Sequence, residues 1–102
     1  MKPNIDISYT DYELLLSLLQ RYAADATVWA FGSRVKRTSR PQSDLDLAVS
    51  IAHNRYAVLA DLREAFDEAN LPFRVDVMDW DSLPENMKDN ICQERVAIWN
   101  VV

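Results

Sequence analysis

The sequence predicts an α/β or α+β fold, a small mixed β-sheet flanked by helices in the order αβαβαβα. Three observations carry this prediction. Apolar residues recur at helical spacing in three stretches, and β-branched or alternating runs separate those stretches. At 102 residues and 49% apolar content the chain has material for one ordinary core, so one domain over 1–102 is expected. No repeat, linker or low-complexity segment interrupts the order.

Each element has its own signal. Thr10-Asp11-Tyr12-Glu13 has the form of a capping box, a hydroxyl at N-cap and a carboxylate at N3. Leu15, Leu18, Leu19 and Tyr22 follow at helical spacing, which predicts a helix over about 10–23. The β-branched and aromatic run at 27–31 predicts a strand that stops at Gly32, the only glycine in the chain. A polar loop over 34–43 contains Pro41. Leu45, Leu47, Val49 and Ile51 then alternate with Asp46, Ala48 and Ser50, the pattern of a half-buried strand. Val58, Leu59, Leu62, Ala65, Phe66 and Ala69 form a second helical stripe, and its acidic residues at 61–68 are expected on a solvated face. Asn70-Leu71-Pro72 breaks that helix before a third strand over 73–78. Ser82 and Glu85 offer another capping box for a last helix with Leu83, Met87 and Ile91 inward. The β-prone end, 96–102, is expected to add a short strand or pack as a tail.

Composition narrows the function classes. The longest apolar runs, such as 28–31 and 96–99, fall far short of a membrane span, and no secretory pattern opens the chain. Cys92 has no second cysteine to pair with, so a reducing cytoplasm is the expected setting; the residue is read as core filler. A net charge of −5 disfavours direct nucleic-acid binding. Within that acidic whole, Arg34, Lys36, Arg37 and Arg40 put four positive charges into seven residues. A local basic loop beside an acidic strand suits a metal-chelated polyphosphate.

The chemistry is concentrated between residues 30 and 49, AFGSRVKRTSRPQSDLDLAV, and in the later run Val75-Asp76-Val77. Side chains on a strand alternate faces, so Asp44 and Asp46 share one face while Leu45 and Leu47 take the core face. Asp76 stands between two valines and points away from the apolar face as well. On neighbouring strands the three carboxylates converge, and their mutual repulsion raises a pKa unless a cation sits among them. Mg²⁺, a hard ion that takes one or two carboxylates plus phosphate oxygens, fits that role. Gly32 allows close backbone approach to a ligand, and Ser33 offers a hydroxyl and an N–H to a phosphate. Asp79 and Asp81 are expected to cap or turn, His53 to lie on the surface, and Trp29, Trp80 and Trp99 to pack the core or a partner.

This constellation resembles the minimal nucleotidyltransferases of the DNA polymerase β superfamily, across almost the whole chain. Their Gly-Ser, spacer, Asp-hydrophobic-Asp-hydrophobic and later hydrophobic-acid-hydrophobic pattern is matched by Gly32, Ser33, Asp44, Asp46 and Asp76; Ser43 fits the Ser-Asp start of many small members. The resemblance implies a polymerase-β-like core that moves AMP from ATP to a hydroxyl acceptor, with two Mg²⁺ ions held by Asp44, Asp46 and Asp76. It implies nucleotide binding by Gly32 and Ser33, with Arg34 and Lys36 as triphosphate contacts. The similarity is greatest to stand-alone members paired with a helical HEPN-type partner, some of which act as antitoxins that adenylylate that partner. Two departures stand out. Many relatives carry a second glycine where this chain has Arg37, and larger members have a C-terminal acceptor-binding domain that is not recognised here. Two alternatives stay open: a catalytically weak or inactive module that neutralises its partner by complex formation, for which Arg37 is the only support, and transfer to a small molecule held by the partner. A phospho-receiver, which needs a late lysine after a strand, is set aside because Lys88 lies in a helical run.

Overall fold

A computed structural model describes residues 2–101. The elements are α1 (Tyr9–Tyr22), β1 (Thr27–Phe31), α2 (Ser33–Lys36), β2 (Leu45–Ser50), α3 (Arg55–Glu68), β3 (Val75–Asp79), a 3₁₀ turn (Trp80–Ser82), α4 (Glu85–Glu94) and β4 (Val96–Trp99). The sheet has four strands in the order β3-β2-β1-β4. β1 pairs antiparallel with both β2 and β4, whereas β2 and β3 run parallel, so the sheet is mixed. A parallel pair needs a crossover, and α3 supplies it.

Binary patterning decides which sheet face carries α1 and α3. Leu15 and Leu19 of α1 and Leu59, Leu62 and Phe66 of α3 join Val28, Ala30, Leu45, Leu47, Val49, Val75 and Val77 in one buried cluster. A smaller cluster occupies the opposite face, where Ile91 of α4 meets Phe31 and Ala48 beneath Trp29, Met78 and Trp80. The rings of Trp29 and Trp80 lie 5.3 Å apart, and the Arg95 guanidinium stacks 4.4 Å from the Trp29 ring. Trp99 is tied down differently, its indole N–H donating to the Ala24 carbonyl.

The two predicted capping boxes are corrected. α1 is capped by Ser8, whose Oγ accepts from the Asp11 N–H, so Thr10 lies inside the helix. Ile7, just before that cap, is buried in the cluster against which Tyr12 packs, a staple that Thr10 as cap would not have allowed. The last helix starts after Pro84 rather than at Ser82. Proline drives the residue before it out of helical space, and Leu83 accordingly has φ −78° and ψ 145°. Ser82 instead donates its hydroxyl to Asp79, which also accepts from the Asp81 N–H and so caps the 3₁₀ turn. The third strand starts two residues later than expected, at Val75. Cys92 is exposed on α4 and is no core filler. The short C-terminal strand exists as β4, on the free edge of β1. Val102, the last residue of the predicted β-prone end, lies outside the described residues. Among the described residues no helix is long and apolar enough to cross a membrane.

Candidate active site

The parallel register of β2 and β3 places Asp46 directly beside Asp76, and the antiparallel register of β1 and β2 places Phe31 on the other side of Asp46. Cross-strand partners share a face. The row Phe31, Asp46, Asp76 therefore runs across the same face as the Trp29, Ala48, Met78 row that α4 covers. Asp44 sits one residue ahead of β2, in the incoming loop, and all three acids are half-buried. Asp76 has a weak ionic neighbour, Arg74 Nη2 at 3.7 Å from Oδ1.

Gly32 follows Phe31 and turns the chain out of β1. Its φ is +83° and ψ −157°, a conformation that a side-chain-bearing residue rarely adopts. A Cβ here would collide with the Asp46 carboxylate, so the glycine is what lets the turn lie against that acid. Ser33 then opens the single turn of α2, whose amides at Val35 and Lys36 return to the Gly32 carbonyl. Arg37 closes α2 with φ 63° and ψ 31°, in the left-handed region. Arg37 thus holds the left-handed conformation that a glycine would adopt most readily at this position. Its guanidinium turns away, to Asn4 Oδ1 at 2.8 Å and Asp6 Oδ1 at 3.8 Å.

Arg34 does not face the site, which corrects its assignment as a triphosphate contact. It is buried, 6% exposed, with Phe73 stacked 4.2 Å from its guanidinium carbon. Nε and Nη2 donate to the Ser43 carbonyl at 3.0 and 2.8 Å, Nη2 also to Pro41 O at 3.0 Å, and Nη1 to Asp6 O at 2.8 Å. The irregular loop has no ladder to satisfy these carbonyls, and Arg34 serves instead. By gripping Ser43 it fixes the residue that precedes Asp44. Lys36 remains exposed at the site, but its ammonium lies 3.1 Å from Oε2 of Glu94, the last residue of α4. Oε1 of the same carboxylate accepts from the Gly32 N–H at 3.0 Å. Glu94 and Arg74 belong to the site and carry no sequence signal, since neither forms a motif with its neighbours.

Burial pushes the Asp46 carboxyl up to about 6, and the charges of Asp76, Asp44 and Glu94 push the same way, against a smaller opposing effect of Arg74. The folded chain thus holds this proton more tightly than the unfolded chain. Metal-free stability from this group is present at acid pH and is lost as pH rises from about 4 through about 6. In chelator near neutral pH, Asp46→Asn is expected to stabilise the fold by roughly 1 kcal/mol after allowing for solvent screening, or about 4–8 °C in Tm. The variant should also flatten the decline across that pH window. Thermal unfolding against pH checks both, and a lower Tm for the variant would show that the acids do not strain one another.

Whether these residues suit a divalent cation follows from their chemistry. Carboxylate oxygens are hard donors, and the like-charge strain on Asp46 is what a cation relieves. Among the described residues no three acidic, imidazole or thiol groups come together so as to hold a metal ion, so the expected three-carboxylate set of Asp44, Asp46 and Asp76 is not assembled as a metal site by the chain alone. Mg²⁺ ordinarily takes only one or two carboxylates and completes its octahedron with water and phosphate oxygens. The site therefore fits a cation that arrives with a polyphosphate better than one held by protein alone.

A mixed sheet that presents paired acids beside a Gly-Ser turn is the arrangement of a nucleotidyltransferase. The chain belongs to the polymerase beta nucleotidyltransferase family, whose sequence pattern it matches over residues 13–101. It is 42% identical over 96 residues to the probable protein adenylyltransferase MntA of Haemophilus influenzae, across 92% of this chain and 83% of that protein. Among solved structures it is similar to one described as a minimal nucleotidyltransferase, with 30% identity, a TM-score of 0.67, and coverage of 85% of this chain and 88% of that one. The same fold occurs in the complex of a tri-AMPylated Shewanella oneidensis HEPN toxin with an MNT antitoxin, at 20% identity and a TM-score of 0.58, covering 90% of this chain and 71% of that one.

Proposed function

We propose that the chain is a single-domain, Mg²⁺-dependent adenylyltransferase that moves AMP from ATP to a hydroxyl on a separate helical HEPN-type protein, and so acts as its antitoxin. The observation that carries this reading is the side-by-side placement of Asp46 and Asp76 next to the Gly32–Ser33 turn. The relatives support the acceptor: one is a probable protein adenylyltransferase, and another fold-mate is an antitoxin in complex with an AMPylated HEPN toxin.

In this reading Asp44, Asp46 and Asp76 hold the metal. Bound there, Mg²⁺ supplies charge neutralisation of the phosphates in the manner of two-metal phosphoryl transfer. The turn at Gly32 and Ser33 offers N–H and hydroxyl donors to phosphate oxygens, and Lys36 adds a cation at its rim. Asp76, on the strand nearest the sheet edge, accepts the hydrogen bond of the incoming hydroxyl and then its proton. The hydroxyl oxygen bonds to the α-phosphorus, the bond from that phosphorus to the β-bridging oxygen breaks, and pyrophosphate leaves with the electron pair. Orientation of the acceptor comes from the partner's own surface.

Co-expression with a HEPN-type protein, followed by intact-mass analysis, tests this. The expected result is a partner carrying the mass of one or more AMP groups. A tight complex whose partner stays unmodified under turnover conditions would favour neutralisation by binding alone.

A further inference from the structure

Glu94 ends α4, yet its carboxylate is built into the Gly32–Ser33 turn 62 residues earlier in the chain. One oxygen takes the Gly32 N–H at 3.0 Å and the other takes the Lys36 ammonium at 3.1 Å. A backbone N–H at a tight turn together with an ammonium is the donor pair that an anionic phosphate oxygen seeks. Here an internal carboxylate already has both. The position is otherwise a poor one for an acid, because it adds a fourth negative charge near Asp44, Asp46 and Asp76. What compensates it is that pair of donors. The contact is also accessible: the Glu94 side chain is 24% exposed, at the edge of an open groove of about 550 Å³ lined by Phe31, Lys36, Met87 and Ile91.

We propose that Glu94 is an internal occupant of a phosphate position. Its carboxylate holds the Gly32 N–H and Lys36 in the nucleotide-free chain, and the triphosphate must displace it, so Glu94 sets nucleotide affinity. The inference rests on the nucleotide reading of the Gly32–Ser33 turn. Until it is displaced, the carboxylate occupies Lys36 and holds a like charge at the phosphate position, and both oppose binding.

Calorimetric binding of Mg·ATP to the intact chain tests this, with amide NMR as a second readout. Gly32 is the only glycine, so its amide is an identifiable reporter of the turn. Glu94→Gln keeps the shape and removes the charge, and is expected to bind Mg·ATP about tenfold more tightly than the unsubstituted chain. In a Lys36→Ala background the same change should still tighten binding, through the freed Gly32 N–H and the removed like charge, but by a factor different from that in the unsubstituted chain, because Lys36 and Glu94 are coupled. The Gly32 amide should shift in Glu94→Gln without nucleotide and in the unsubstituted chain on adding Mg·ATP. Glu94→Ala, checked for a native amide spectrum, is expected to change affinity in the same direction. Equal or weaker binding by both Glu94 variants, in a chain that itself binds Mg·ATP, would overturn the displacement and leave the nucleotide reading intact. No binding by the unsubstituted chain would overturn both.

Discussion

Replacing Asp44 and Asp46 together by asparagine is expected to lower AMP transfer by at least about 10³-fold, because the proposed function has these carboxylates hold the metal that neutralises the phosphates. Mg·ATP is expected to raise the Tm of the unsubstituted chain, and the same substitutions should abolish that rise, since a ligand stabilises only the state that binds it. Stability without ligand is expected to hold or improve. Asparagine matches aspartate in shape, so the contact beneath Gly32 survives, while the charge that burial and three neighbouring acids oppose is gone. Loss of function with retained or raised stability separates a charged site from a structural one. An asparagine pair that kept both transfer and the Mg·ATP shift would remove these acids from the chemistry.

How far the sequence reached depended on whether the deciding interaction was local. Strand alternation is a two-residue rule, so the sequence assigns Leu45 and Leu47 to the core face and Asp46 to the opposite face, as in β2. The pairing of Asp46 with Asp76 was conditional on β2 and β3 being neighbours, which the parallel register now supplies. Caps were less legible because two overlapping segments, Ser8 to Asp11 and Thr10 to Glu13, both satisfy the local pattern. Burial of Ile7 chooses between them, and that is a tertiary fact. Pro84 was the readable signal at the last helix, and the Ser82 box overlooked its effect on Leu83. The basic run misled most. Charge composition treats Arg34, Lys36, Arg37 and Arg40 alike, but the structure sends Arg34 inward, Arg37 to the N-terminal segment and only Lys36 to the turn. A warning was present in the sequence. A loop with Pro41 and no strand pattern leaves carbonyls that need donors, and a nearby arginine is the side chain best able to supply several.

Arg34→Ala is expected to destabilise the fold by about 3 kcal/mol or more, although its place in a basic loop would suggest a harmless surface change. The substitution strands the carbonyls of Ser43, Pro41 and Asp6, which have Arg34 as a donor, and opens space beside Phe73. Arg34→Lys should recover little. An ammonium is a point donor and cannot make the forked contact in which Nε and Nη2 share one carbonyl. Urea unfolding measures the loss, and Lys36→Ala is the control. Lys36 is exposed, its one ion pair is of the kind worth about 0–1 kcal/mol, and its removal should leave the unfolding midpoint nearly unchanged. Activity should divide the two residues the other way in kind. Arg34→Ala should lower turnover at saturating nucleotide, because Ser43 no longer fixes the approach of Asp44, whereas Lys36→Ala should act on nucleotide affinity. If Arg34→Ala unfolded at the same urea concentration as the unsubstituted chain and lost only affinity, the guanidinium would have to leave its carbonyls for the triphosphate, and the buried clamp would not be its working position.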